Sequence, residues 1–266
     1  MEKIKIDMSG LLAEAVSKPG MILEAYSAFT GRYSIGNRLW AMRQCVERGI
    51  PVAPIGTFKF WESKGRRVKK GEKALSLLVP VKIKKKDENG EETDESFVLF
   101  RAVNRFFTMH QTEGENYTPE SFGEWNRDTA LKNLNINLVT FEHMNGNVQG
   151  YASGRDIAIN PMAQLPHKTL FHEIAHVILG HTDIEAHDSF NTPRNIKEVE
   201  AESVALICCE ALKLEGAEYC RGYIQSWLGS KNTIEEKSAK RIFSAANKIL
   251  EAGYEKSEEV ENEDCA

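Results

Sequence analysis

The residues richest in chemistry lie in "TLFHEIAHVILGHT", residues 169–182. There His172, Glu173 and His176 interrupt an apolar run of Leu170, Phe171, Ile174, Ala175, Val177, Ile178 and Leu179. An H-E-x-x-H spacing puts two histidines one helical turn apart on one face, about 6 Å apart at Cβ. Two imidazoles on such a ridge can share one zinc ion, with the intervening glutamate beside the open coordination position. The apolar surroundings predict an interior helix, in which each unpartnered polar side chain costs on the order of 1–3 kcal/mol. A metal would satisfy both histidines at once; the competing explanation is a pair of hydrogen-bonded core histidines.

Such a site needs a third protein ligand. His181 follows His176 one residue too soon for the longer H-E-x-x-H-x-x-G-x-x-H arrangement. It is expected instead at the helix end, where an imidazole is favoured by the helix dipole. In "TPRNIKEVEAESVALICCEALKLEG" the apolar stripe runs through Ala201, Ala205, Cys208 and Leu212, and one turn back it reaches Glu198. Glu198 is therefore the leading third ligand. Glu202 either backs a ligand imidazole by a hydrogen bond or is itself the ligand; Glu200 is expected to face solvent. Glu173 would act as general base toward a water acidified by the metal, and other divalent ions could replace zinc. Tyr151, on a strand preceding the histidine helix, is a candidate donor to an oxyanion.

The elements that must position these groups can be read from period and punctuation. Residues 11–29 read as a helix broken near Pro19-Gly20, and "SIGNRLWAMRQCVERG" reads as a second helix ending at Gly49. "TFKFWESKGRRV", "KALSLLVPVKIKKK" and "ESFVLFRAVNRFF" look like strands, with "KKKDENGEETDES" as a polar hairpin tip. In the second half, "FGEWNRDTALKNLN" reads as a helix and "NVQGYAS" and "RDIAINP" as a strand pair. Pro166 opens the histidine helix and Gly180 stops it; Thr192-Pro193 starts another that should run to Gly216. "EYCRGYIQSWL" and "TIEEKSAKRIFSAANKILEAG" complete the helices, the last with a Thr233…Glu236 capping box. The fold class expected is α+β. A small basic α+β domain should span 1–112, a linker 113–122, a mainly helical domain with a short β-sheet 123–254, and an acidic disordered tail 255–266.

Charge divides the 266-residue chain unequally. The net charge is −5, yet residues 1–110 carry 20 Lys+Arg against 13 Asp+Glu, and residues 31–86 carry 15 against 3. A basic first half points to an anionic partner for that half alone. Cations track a phosphate backbone while aromatic faces stack unpaired bases, so basic segments interleaved with aromatics suit single-stranded nucleic acid. The candidate contacts are Arg38, Trp61, Lys64, Arg66, Arg67, Lys69 and Lys70; the alternative is that the aromatics are core and the lysines their wet face. Five cysteines without C-x-x-C spacing argue against a disulfide framework and for a reducing compartment. No run approaches the roughly 18 apolar residues of a membrane span, so a cytoplasmic protein is expected.

Several longer stretches also carry a family resemblance. "RYSIGNRLWAMRQ", "FWESKGRRVKKGEKA" and "FFTMHQTEG" resemble the N-terminal domain of the ArdC antirestriction family. "LFHEIAHVILGH", "EVEAESVALICCEAL" and "YIQSWLGSKNTIEEKSAKRIFSAANKIL" are similar to its C-terminal zincin-like metallopeptidase domain, in the same order. The resemblance implies a single-stranded DNA-binding domain followed by a metal-dependent peptidase fold, protecting incoming mobile-element DNA from restriction. It implies zinc on His172, His176 and Glu198, with Glu173 as base. The E-x-x-A pattern at Glu198–Ala201 also resembles ImmA/IrrE-type regulatory metallopeptidases, which would make a repressor or host protein the substrate. A protective DNA-binding protein with a non-catalytic metal is the remaining alternative.

Overall fold

The computed structural model describes residues 6–29, 33–86, 92–119, 123–142, 147–183, 192–229 and 233–255. Its fold is α+β. Helices α1 (Met8–Ser17) and α2 (Met21–Ala28) are separated at Pro19-Gly20, where Gly20 takes a left-handed φ of 85°. Helix α3 (Ile35–Arg48) starts on the Ser34 hydroxyl, which accepts from Asn37 N, and stops at left-handed Gly49. A three-stranded antiparallel sheet follows, in the order β1 (Ile55–Thr57), β4 (Glu92–Thr108), β3 (Leu75–Lys86). The tip expected near residues 84–96 lies partly outside the described residues.

Strand β3 is an edge, and edge strands expose unpaired backbone groups. Here α3 covers part of that edge with side-chain amides that imitate a neighbouring strand. Asn37 Nδ2 donates to Leu78 O at 2.9 Å while its Oδ1 accepts from Leu78 N at 2.8 Å. Gln44 does the same at Ser76, with both bonds at 2.9 Å.

"TFKFWESKGRRV" is not one strand. Phe58–Ser63 forms a short helix, α4, because the Thr57 hydroxyl caps Phe60 N at 3.2 Å. Strand β2 (Arg66–Val68) then pairs antiparallel with β5 (Thr112–Gly114). Aromatic β-formers yielded to tertiary context: Trp61 is fully buried and donates from Nε1 to Phe107 O at 2.9 Å.

Helix α5 (Arg127–Leu134) leads to a second three-stranded sheet, in the order β6 (Asn137–Leu138), β8 (Asp156–Ile159), β7 (Gly150–Ser153). The β6–β8 pair is parallel and the β7–β8 pair antiparallel. Among the described residues, four helices follow: α6 (Pro166–Ile178), α7 (Arg194–Ala211), α8 (Ala217–Gly229) and α9 (Glu236–Ala252). Helix α7 ends before Gly216, at Ala211, since Lys213 turns left-handed with φ 55°. The expected Thr233…Glu236 box does not form. Glu235 is the N-cap, without a side-chain cap bond, and the Glu236 carboxylate accepts from Ser9 N at 3.0 Å.

The buried core is continuous from α1 to α9. Helices α1 and α2 pack on α7, α8 and α9. One polar knot fastens them: buried Arg221 of α8 donates to the carbonyls of Ala15 and Val16 and to Glu210, which accepts from Ile22 N at 3.1 Å. No described helix is long and apolar enough to cross a membrane.

Candidate metal centre and nucleic-acid interface

Pro166 occupies the first turn of α6, where a missing N–H costs nothing, and left-handed Gly180 closes the turn beyond the helix. Leu170, Phe171, Ile174, Ala175 and Val177 fix one side of α6 in the core. That leaves His172, Glu173 and His176 turned into a cleft of about 440 Å³, lined also by Gly150, Tyr151, Ala152, His181, Thr182, Arg194, Lys197 and Glu198.

Three ligand-type atoms converge in this cleft. His172 Nε2 and His176 Nε2 lie 3.1 Å apart, and Glu198 Oε2 on facing α7 lies 3.4 Å and 3.8 Å from them. All three fall within 4.8 Å of one another. Two imidazole nitrogens and one carboxylate oxygen are a donor set suited to a first-row divalent ion, so the residues fit such a metal. Hydrogen bonds from the two histidines hold the Glu198 carboxyl far below the usual range. Burial moves Glu173 the other way, raising its carboxyl, although the neighbouring histidines oppose the rise.

Other polar groups stand behind the ligands. Glu202 Oε1 is 3.4 Å from His172 Nδ1 and 2.5 Å from Lys168 Nζ. Glu202 therefore backs His172 from the side away from the cluster. Glu200 does not face solvent. Its side chain is 1% exposed, and its Oε2 sits 2.9 Å from His181 Nε2. The expectation that Glu200 faces solvent is thus corrected: helix α7 is buried nearly all round, from Val199 to Ala211, so an acid off the main stripe still lies inside. His181 does stand just past the end of α6, where its ring is hydrogen-bonded. Burial lowers the His181 imidazole below its ordinary value. Lys168 and Arg241 were not singled out by spacing, because hydrogen-bond partners need no fixed sequence interval.

The cleft wall opposite α6 is edge strand β7. A Cβ on Gly150 would come within 2.7 Å of Thr169 Cγ2, 3.0 Å of Ala158 O and 3.2 Å of Glu173 Cγ. Glycine alone permits this approach of strand to helix. Tyr151 lines the cleft, and its hydroxyl lies 3.5 Å from Thr140 O.

The basic candidates divide into two groups. Arg38, Trp61 and Arg66 are buried. Arg38 donates to the carbonyls of Tyr33 and Tyr26 at 2.8 Å and 2.6 Å, with its guanidinium 4.4 Å from the Tyr26 ring centroid. Arg66 donates to Thr112 Oγ1 at 2.8 Å and also to the Glu115 carbonyl, tying β2 to β5. These three brace the fold from inside it. Lys64, Arg67, Lys69 and Lys70 are exposed around the α4–β2 turn, joined by Lys59 and Lys73. Phe58, 53% exposed, stands beside Lys59 at the start of α4.

Fold and site together define an α+β protein with a cationic N-terminal surface and a two-helix His/Glu cluster of divalent-metal type. Residues 17–117 match the sequence family described as the N-terminal domain of anti-restriction factor ArdC. No curated protein matches the chain significantly. The metal-free crystal structure of antirestriction ArdC protein from plasmid R388 is similar over 92% of this chain and 94% of that one, at 19% identity and a TM-score of 0.53. Its Mn(II)-bound crystal structure is similar over 95% and 100%, at 17% identity and a TM-score of 0.55. At such identities the structural likeness speaks for a shared fold. Residues 17–117 thus match that domain family, and nearly the whole chain shares that fold.

Proposed function

We propose that this protein is an antirestriction factor that binds single-stranded DNA through its cationic N-terminal surface and holds zinc or another divalent metal at His172, His176 and Glu198. The observation that carries the metal is the convergence of three ligand-type atoms from two helices within 4.8 Å. The Mn(II)-bound form of the plasmid R388 protein supports a divalent ion in this fold. The basic surface rests on Lys64, Arg67, Lys69 and Lys70, all exposed between the end of α4 and the residues just after β2.

A metal there would supply Lewis-acid polarisation and acidify a water at neutral pH. The chain's own residues do the rest. Glu173, with its carboxyl raised by burial, is placed to accept a proton in the cleft. Edge strand β7 gives an extended peptide a backbone to pair with, and Tyr151 stands over that edge. The reaction class is peptide hydrolysis, with a repressor or host protein as substrate. A second reading is favoured by one feature: the ligands bridge α6 and α7, so the metal could simply clamp the two helices.

Elemental analysis of the purified wild type against His172→Ala and His176→Ala should find about one divalent ion per chain, lost in both variants. A gel shift should find single-stranded oligonucleotide bound at low salt. Wild type with no metal after divalent supplementation, or no preference for single strands, overturns the corresponding half of the proposal.

A further inference from the structure

The two longest described strands reach past the elements that cover them. Strand β1 pairs with β4 only from Phe106 to Thr108, so residues 76–84 of β3 and 96–104 of β4 form a two-stranded ribbon. Such a ribbon is stable only when one face is packed. Leu77 and Val79 supply that face, and both are buried. Side chains alternate across a strand, and directly paired residues share a face. The opposite face therefore carries the pairs Pro80–Phe100, Lys82–Val98 and Lys84–Ser96. All six residues are exposed, Phe100 by 64% and Val98 by 53%.

A single exposed apolar side chain is ordinary, but a phenylalanine, a valine and a proline side by side call for a partner. Two lysines line the same face, about 7 Å apart along β3. A second copy of this chain laid on the face would bring lysines against lysines. An anion with flat apolar parts suits it better. Single-stranded DNA is such a partner, with phosphates for the cations and unpaired bases to stack on the ring.

The α4–β2 turn is rich in cations and poor in open rings. Trp61 is buried, while Phe60 and Tyr117 are half-buried and packed edge-on against it and each other. Of the aromatics there, Phe58 is the exposed one. Cations by themselves attract duplex as well as single strands.

We infer that the exposed face of the β3–β4 ribbon is a second contact for single-stranded DNA, in which a base stacks on Phe100 and phosphates meet Lys82 and Lys84. The ribbon then tells an unpaired base from a paired one. The inference rests on the proposal that the protein binds single-stranded DNA, and adds a surface to it.

The test titrates full-length protein into fluorescein-labelled oligonucleotides of one sequence, single-stranded and duplex, read by anisotropy. Phe100→Ala should weaken single-strand binding by about 10-fold and leave duplex binding as it was. Phe100→Trp should keep the wild-type preference. Lys82→Gln with Lys84→Gln should shrink the slope of log K against log salt for the single strand by about 1.4. Because these side chains are exposed, the unfolding midpoint should not move. Phe100→Ala that binds the single strand as tightly as wild type, or loses single strand and duplex alike, overturns the inference while the DNA reading stands. So does a wild type that sediments as a dimer and falls to a monomer in Phe100→Ala, which would give the face to a second copy. Wild type that binds no single-stranded DNA sinks the DNA reading itself, and the ribbon contact with it.

Discussion

Glu173 and Glu198 share one cleft, yet their surroundings push them in opposite directions. Glu198 lies 3.4 Å and 3.8 Å from two imidazole nitrogens, whose nearness keeps its carboxyl ionised to low pH, as suits a ligand. Glu173 is 8% exposed, and burial outweighs its charged neighbours, as suits a proton acceptor. Glu173→Gln keeps the shape and removes that basicity. Metal content should be unchanged while peptide hydrolysis falls by about 10²–10⁴-fold, measured on any cleaved peptide. Metal lost from the variant would make Glu173 a ligand and end its assignment as base. His172, Glu173 and His176 were legible in the sequence because helical spacing alone puts them on one ridge. Glu198 followed by extending an apolar stripe one turn. Glu200 escaped that logic, since the stripe assumes a single buried face and α7 buries nearly its whole circumference.

At the scale of elements, what matters is how closely they approach. Strand β7 can lie against α6 because residue 150 has no side chain to strike Thr169 and Glu173. Gly150→Ala should lower unfolding stability by about 1–3 kcal/mol in a denaturant titration, through overpacking. It should also weaken whatever the cleft does; an unchanged midpoint would mean that β7 shifts freely. The α4–β2 turn shows the other side of legibility. Counting cations located the basic surface, but the aromatic pattern read as a strand where a threonine cap made a helix, and burial separated Arg66 from its neighbours. Arg66→Ala should therefore destabilise the fold by about 2–3 kcal/mol, having lost charged hydrogen bonds, with little change in salt slope. Neutralising Arg67, Lys69 and Lys70 together should do the reverse. Thermal stability should hold, while the slope of log K against log salt for single-stranded DNA shrinks by about 2. Equal slopes would remove this turn from the interface.

Across the whole molecule the core is continuous, and it encloses thiols that never meet water. Cys45 in α3, Cys208 and Cys209 in α7, and Cys220 in α8 are free and wholly buried. Burial raises each of them: Cys45 to about 11, Cys209 to about 12, and Cys208 and Cys220 well above the usual thiol value. A thiol that resists ionisation when folded holds its proton where the unfolded chain has already lost it. Its contribution to stability is complete below the ordinary thiol value near 9 and drains as pH rises through about 11 for Cys45 and about 12 for Cys209. Unfolding free energy measured by denaturant should accordingly fall with increasing steepness above pH 9. Cys45→Ala should flatten the part between about 9 and 11, whatever its effect on absolute stability. The same burial should keep these four thiols unreactive toward iodoacetamide at pH 8 until denaturant is added. Rapid labelling of Cys208 or Cys209 in the native protein would mean that α7, which carries Glu198, Glu200 and Glu202, opens far more readily than its packing implies, and the centre built on it would have to be redrawn.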